Sequence, residues 1–321
     1  MNKIGILATY LTQEHRDKIQ AAADLAGREV HYFKDAADCE ANLGDCEILY
    51  GYIPAGFIKK AASLKWLATA AAGVDALLKD EIYPHEGIIL TNSSGSYGVT
   101  ISEHMIMTTL MLMRRMPAYQ EEMRRQEWGS LGNIRSIYGS TIVVVGTGDI
   151  GTNFACRAKA MGAARVIGVR RTLKEADPAF DEVYTTDRLK EAVVGADVVA
   201  LALPATASTI GVFSKEIIDS LPSRALVLNV GRGNAVDQDA LIDALNEERI
   251  AGAALDVMVP EPLPKGHPLF SAKNCILTPH CSGTMTLQHT NDANVDTFCR
   301  NLVRYARGEE MENVIDRGIG Y

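Results

Sequence analysis

Apolar positions along the chain fall into two series of short continuous runs. Longer stretches separate them, and there the apolar residues recur every three or four positions. The first series covers residues 3–8, 30–33, 48–53, 66–70 and 88–91. Continuous runs of this length, rich in Ile, Val and Leu, predict parallel strands buried on both faces. The spacing between them predicts helices over 14–26 and 55–62. The second series covers 141–145, 165–169, 197–203, 225–230, 251–257 and 275–277, six expected strands, with helices expected over 149–161 and 238–246. Strand and helix in alternation is the rhythm of an open parallel sheet, and the six-strand series suits a doubly wound nucleotide-binding domain.

Between the series, residues 101–126 read as one long helix rich in Met and Leu. Its apolar positions wrap most of the way round, so it is expected to be buried on more than one side, within one subunit or against a second copy. Residues 286–307 read as a last helix able to return to the first series, followed by a short tail over 313–321. There are no internal repeats, low-complexity segments or long linkers.

Composition narrows the classes. The chain has 321 residues, which favours two domains, and 47% of them are hydrophobic, enough for substantial cores. A net charge of -8 argues against a nucleic-acid or anionic-membrane partner, although a local basic pocket for a phosphate remains compatible with it. The opening apolar run is too short for a signal peptide, and no window approaches the roughly 20 apolar residues of a membrane span. The six cysteines (39, 46, 156, 275, 281 and 299) form no CxxC and no metal-ligand spacing, so reduced thiols in a cytoplasmic protein, and no metal, are expected.

The strongest local motif is Thr141-Ile-Val-Val-Val-Gly146-Thr-Gly148-Asp149-Ile150-Gly151. The glycines follow a β-branched strand and open a helix, which is the context a dinucleotide-binding loop requires. Gly146 permits the tight turn, Gly148 lets backbone approach a pyrophosphate, and Gly151 allows helix to pack on strand. The next expected strand ends in Arg170-Arg171-Thr172, where an NAD-specific site carries an acidic residue for the ribose 2′-hydroxyl. A guanidinium there binds a 2′-phosphate that a carboxylate would repel, so NADP(H) is the expected cofactor. NAD(H) stays as the alternative, with the arginines solvated or stacked on adenine.

From this loop onward the chain resembles the D-isomer-specific 2-hydroxyacid dehydrogenase family. The resemblance rests on Val145-Gly-Thr-Gly-Asp-Ile-Gly151, Asn229-Val-Gly-Arg-Gly233, Leu255-Asp-Val-Met-Val-Pro-Glu-Pro-Leu263 and Leu277-Thr-Pro-His-Cys-Ser-Gly283. Weaker matches at Ala72-Gly-Val-Asp75, from Asn92 to His104, and at Asn313-Val-Ile-Asp316 extend it over nearly the whole chain. The resemblance implies two Rossmann-like doubly wound parallel-sheet domains, the nucleotide-binding domain (100–286) inserted into a substrate domain built from 1–99 and 287–321. It implies an active site in a cleft between them, and a homodimer joined through the helix at about 101–126.

The reaction so implied needs a proton carrier, a group holding the substrate carboxylate, and polarisation of the carbonyl. His280, after a strand in Ile276-Leu-Thr-Pro-His, is the expected acid/base, because a histidine changes charge near neutral pH. His104 is its rival, but a helical context favours packing. By resemblance the Glu261 carboxylate bonds the far nitrogen of the His280 ring, orienting it and favouring its charged form. Arg232, after Asn229-Val-Gly, is expected to bind the carboxylate and 2-oxo oxygen. Small residues at Ala72, Gly73 and Val74 leave backbone N–H groups for a carboxylate. Tyr52, beside Gly51, stands at a comparable strand end, where members acting on phosphorylated substrates tend to have Arg; its absence favours a smaller or more apolar 2-oxo acid. Pro204, Thr209, Val230 and Asp256 match positions lining ribose and nicotinamide, with Asp256 a candidate acceptor for the carboxamide. Cys281 departs from the residue expected beside the histidine, and packing explains it better than redox chemistry. The expected activity is hydride transfer between NADP(H) and a small 2-oxo or 2-hydroxy acid, such as glyoxylate, hydroxypyruvate or a branched 2-oxo acid. A nucleotide-sensing binding protein or corepressor on the same fold is the alternative, and a formate or phosphite dehydrogenase a third reading.

Overall fold

A computed structural model describes residues 3–173 and 177–321. These divide into two units: Met1–Tyr97 with Thr284–Tyr321, and Gly98–Gly283.

The first unit is built on β1 (Lys3–Leu7), α1 (Gln13–Leu25), β2 (Glu29–Tyr32), α2 (Ala36–Asn42), β3 (Ile48–Gly51), α3 (Ala55–Ile58), β4 (Trp66–Thr69) and β5 (Ile89–Thr91). The five strands lie in the order β2-β1-β3-β4-β5, every pair parallel. β3 and β4 are buried throughout, which is why their sequences lack polar alternation. One face of the sheet packs Leu49, Leu67 and Leu90 against Leu43, Ile58 and Leu64. The other packs Ile4, Ile6, Tyr50 and Trp66 against Val295, Phe298 and Leu302 of the C-terminal helix Gln288–Arg307. α1 starts where Thr12 accepts the His15 N–H and the His15 ring accepts the Thr12 N–H, a reciprocal cap. The helix expected over 55–62 is only one turn. Bonds from Lys60 N to the Phe57 carbonyl and from Ala61 N to the Ile58 carbonyl tighten the chain out of α-helical geometry ahead of β4.

The second unit begins with α4 (Gly98–Met113) and α5 (Met116–Arg124). These replace the single helix expected over 101–126. Arg115 takes a left-handed conformation, φ 57°, and Pro117 sits in the first turn of α5. A proline there has no N–H to give to the preceding turn and clashes with its carbonyl, so the helix restarts. Then follow β6 (Thr141–Val145), α6 (Asp149–Ala160), β7 (Arg165–Arg170), β8 (Glu182–Thr185), α7 (Leu189–Val193), β9 (Val198–Leu201), α8 (Lys215–Asp219), β10 (Leu226–Asn229), α9 (Gln238–Asn246), β11 (Gly252–Leu255) and β12 (Cys275–Leu277). The order is β12-β11-β10-β9-β6-β7-β8, again all parallel. Seven strands stand where six were expected. β8 escapes the hydrophobic pattern because it is an edge strand, Glu-Val-Tyr-Thr, with no fully buried position. The chain runs outward from β6 in both directions, so the carboxyl end of β6 is a topological switch point, the usual place for a ligand in such sheets. α10, the helix Gln288–Arg307 described above, returns the chain to the first unit.

Candidate active site

Because every strand of the second unit is parallel, the loops after β6, β7, β9, β10, β11 and β12 all leave from one edge of its sheet. That edge carries nearly all the chemistry expected there. After β6, Gly146 turns at φ 103°, and a Cβ on Gly151 would stand 2.0 Å from the Gly146 carbonyl oxygen, so only glycine lets α6 approach the strand. Gly148 is the N-cap of α6, with no side chain capping the helix and open space where its Cβ would be. With no side-chain cap from Gly148, the positive end of this twelve-residue helix, which opens with Asp149, Ile150 and Gly151, fits a pyrophosphate. Asp149 turns its side chain back to Asn153, 3.0 Å away. Gly146 N donates to the Val169 carbonyl, which sets the half-exposed Arg170 and the exposed Arg171 and Thr172 beside the glycine loop. After β9, Thr209 folds its hydroxyl back onto the Pro204 carbonyl, 2.6 Å, so it shapes the loop. Val230 is buried at the end of β10.

The His280 Nδ1 lies 2.7 Å from Glu261 Oε2, and the other Glu261 oxygen accepts the Met258 N–H at 2.8 Å. The carboxylate is thus held by backbone on one side and holds the ring on the other. Nε2 of His280 has no partner among the described residues, and half of the side chain is exposed. Beside the pair opens a pocket of about 520 Å³, walled by Met258, Leu263, Phe270, Leu277 and Pro279.

Asp256 is already engaged within the loop. It is only 1% exposed, and its carboxylate gathers four bonds. Oδ1 accepts Thr278 Oγ1 (2.6 Å) and Cys281 N (2.9 Å); Oδ2 accepts Ser282 N (3.0 Å) and Ser282 Oγ (2.5 Å). Burial alone would raise the pKa of this acid, but the bonds from Ser282, Thr278 and Cys281 outweigh it and hold the carboxyl below its usual value. The Asp256 carbonyl also accepts the His280 N–H at 2.9 Å. His280 needs this clamp, because its φ of 51° is left-handed, a conformation that costs a non-glycine residue about 1–3 kcal/mol. Burial and the Asp256 charge push the Cys281 thiol up, which disfavours a reactive thiolate. His104 lies on α4, half-buried, with burial lowering its pKa, and its Nε2 stands 3.4 Å from Thr278 Oγ1 beneath the loop.

Arg232 is set by Asn229, which is 1% exposed and whose side chain accepts Gly231 N (3.1 Å) and donates to the Arg232 carbonyl (2.9 Å). A Cβ on Gly233 would come 2.3 Å from Met258 backbone, so the arginine turn and the Glu261 turn touch. Asn229, Thr278 and Ser282 organise this site, although in the sequence they stand only as parts of motifs. Asn229 and Ser282 are buried and Thr278 is half-buried, and their bonds within these loops, rather than their type, reveal them.

In the first unit, the loop after β4 is tied back through its carbonyls. Ser93 Oγ donates to Thr69 O, Tyr97 Oη and Asn294 Nδ2 to Ala70 O, Ser93 N to Ala71 O, and Asn92 Nδ2 to Ala72 O. With the carbonyls drawn inward, the N–H groups of Ala72, Gly73 and Val74 have no partner among the described residues. Successive free N–H groups form an anion-binding concavity. Tyr52, half-exposed, follows β3 in the same unit.

Residues 106–282 match the family model described as D-isomer specific 2-hydroxyacid dehydrogenase, NAD binding domain, more than half of the chain. A mouse glyoxylate reductase/hydroxypyruvate reductase is 32% identical over 255 residues, 78% of this chain and 76% of that protein. Among solved structures, a D-isomer specific 2-hydroxyacid dehydrogenase family protein of Aeromonas salmonicida superposes with a TM-score of 0.86 at 31% identity, covering 98% of this chain and 99% of that one. A D-isomer specific 2-hydroxyacid dehydrogenase of Xanthobacter autotrophicus, in complex with NADPH and MES, gives 0.83 at 27% identity over 100% and 99%.

Proposed function

Since the chain belongs to the D-isomer-specific 2-hydroxyacid dehydrogenase family, we propose that it transfers hydride between NADP(H) and the 2-carbon of a small 2-oxo or 2-hydroxy acid. The observation carrying this reading is the Glu261–His280 pair, 2.7 Å apart with Nε2 of the imidazole unengaged, on the sheet edge that also bears the glycine loop. The N–H groups at the start of α6 hold the pyrophosphate, and Arg170, with Arg171 and Thr172, the 2′-phosphate. When bound, the reduced nicotinamide supplies the hydride. Arg232 grips the substrate carboxylate and 2-oxo oxygen, steadying the charge that grows on that oxygen. In the first unit, the N–H groups of Ala72, Gly73 and Val74 are the groups suited to an acid's carboxylate. His280 Nε2 donates a proton to the new alkoxide in reduction and accepts it in oxidation, with Glu261 fixing which nitrogen reacts. Pro204 and Val230 line the cofactor, while Thr209 and Asp256 act by holding their loops. Arginine, not an acid, at position 170 supports NADPH over NADH, as does the NADPH bound by the Xanthobacter relative.

The partner beyond substrate is a second copy of the chain. Met107, Met116 and Ile134 are exposed and line a groove of about 530 Å³ with Leu110, Met111 and Tyr119, a run of apolar surface suited to self-association. No helix is long and apolar enough to cross a membrane among the described residues. Cytoplasmic residence is proposed from the cysteines, all free.

The test is a spectrophotometric panel of 2-oxo acids of increasing size, each with NADPH and with NADH. Oxidation of NADPH by one or a few acids is expected. Nucleotide binding without turnover of any acid would favour a binding protein on the same fold.

A further inference from the structure

We propose that Tyr52 is a specificity-determining residue whose hydroxyl offers only acceptor lone pairs, so that 2-oxo acids bearing a hydrogen-bond donor on C3 are preferred to those bearing hydrogen or an anion there. The proposal rests on the 2-oxo acid reading above and adds to it the class of side chain.

The argument is an account of protons around the Ala70 carbonyl. Tyr97 Oη lies 2.7 Å from that oxygen. Two oxygens so close need a hydrogen between them, and a carbonyl has none, so the proton is the one Tyr97 carries. The carbonyl's other lone pair takes Asn294 Nδ2 at 2.8 Å. The Asn294 amide has no freedom to flip, because its Oδ1 accepts Tyr50 Oη at 2.6 Å and Tyr10 Oη at 3.2 Å. The single Tyr97 proton is therefore committed. Tyr52 Oη lies 3.1 Å from Tyr97 Oη, and the hydrogen between those two oxygens can come only from Tyr52. Met285 Sδ, 3.2 Å from Tyr97 Oη, is too weak an acceptor to divert the proton from a carbonyl. Burial pushes the pKa of both Tyr52 and Tyr97 above the ordinary phenol value, so neither is a phenolate that would reverse the count.

What remains is a tyrosine, 45% exposed, whose oxygen turns lone pairs and no proton towards solvent. It is tied through Tyr97 to Ala70, two residues before the first of the N–H groups assigned to the carboxylate. C3 of a 2-oxo acid is two bonds from that carboxylate carbon. A C3 hydroxyl gives such an oxygen its proton, a methyl gives it nothing, and a carboxylate sets lone pairs against lone pairs.

The experiment measures kcat/KM with NADPH for hydroxypyruvate, pyruvate and oxaloacetate, in the wild type and in Tyr52→Phe and Tyr97→Phe. The wild type should follow that order, with hydroxypyruvate ahead of pyruvate by about tenfold, the worth of one neutral hydrogen bond at the upper end of its range. Tyr52→Phe should bring that ratio close to one. Tyr97→Phe frees the Tyr52 proton, so the handicap of oxaloacetate should shrink several-fold, a gain that mere loss of structure would not produce. Pyruvate or oxaloacetate used as well as hydroxypyruvate by the wild type, or ratios unmoved in both variants, overturns the proposal and leaves the dehydrogenase reading standing. No turnover of any acid with either nicotinamide overturns both.

Discussion

At the scale of the residue, the site depends on a histidine in a conformation it would not adopt unaided. His280 stays left-handed because Asp256 holds the residues on either side of it. The low carboxyl pKa of Asp256 has a direct consequence for stability. A group whose folded pKa is depressed contributes stability above its unfolded value, and that contribution is lost as pH falls through the folded one. Asp256→Asn leaves the donors of Thr278, Cys281 and buried Ser282 facing an amide that cannot accept them all. We expect a loss of about 2 kcal/mol at pH 7, the scale of a hydrogen bond to a charged group, read as a lower melting temperature. The deficit against the wild type should narrow below about pH 4, where the acid of the unfolded wild type begins to protonate, and close as pH falls through the lower folded value. A deficit independent of pH would show that the charge of Asp256 contributes nothing. Turnover should fall more than nucleotide affinity, since the loop carries His280. For the cofactor, Arg170→Ala should weaken NADPH by about tenfold or more while changing NADH little, as measured by fluorescence titration. Equal effects on both would remove the 2′-phosphate from Arg170.

At the scale of the element, most strands and helices were legible in the sequence, and the exceptions have physical causes. The buried strands β3, β4, β6, β9 and β10 are short apolar runs that hardly admit another reading. β8 was not legible because an edge strand lacks the two buried faces that produce such a run. The helix over 101–126 looked continuous because hydrophobic spacing continues through Arg115; the proline two positions on was the signal that it breaks. Glu261 and His280 were legible as members of motifs, and the structure brings their side chains together. The clamp on His280 and the tied carbonyls behind Ala72 were not legible, since Asp256, Asn229 and Asn294 are set by contacts between segments far apart in the chain. The exposed methionines of α4 and α5 give an element-scale prediction. Met107→Glu places a charge on the apolar groove and should convert a dimer into a monomer in light scattering, with little change in melting temperature of the monomer. If the wild type is itself monomeric at micromolar concentration, the groove serves something else.

At the scale of the whole molecule, two parallel sheets divide the labour. The five-stranded sheet presents backbone N–H groups and tyrosine hydroxyls, groups suited to a small acid. The seven-stranded sheet presents the glycine loop, Arg232 and the Glu261–His280 pair, groups suited in turn to a dinucleotide, a carboxylate and a moving proton. On the proposed reading, nucleotide binding rests on the glycine loop and turnover on His280, so the account predicts that the two can be separated by mutation.

The most direct test of the account is to compare wild type with His280→Ala for two quantities side by side: NADPH affinity, and oxidation of NADPH by the best 2-oxo acid of the panel. We expect affinity to change by less than about twofold while turnover falls by about a thousandfold, within the usual contribution of a general acid. A variant that keeps its turnover, or loses affinity and turnover together, would contradict the assignment of His280 as the proton carrier.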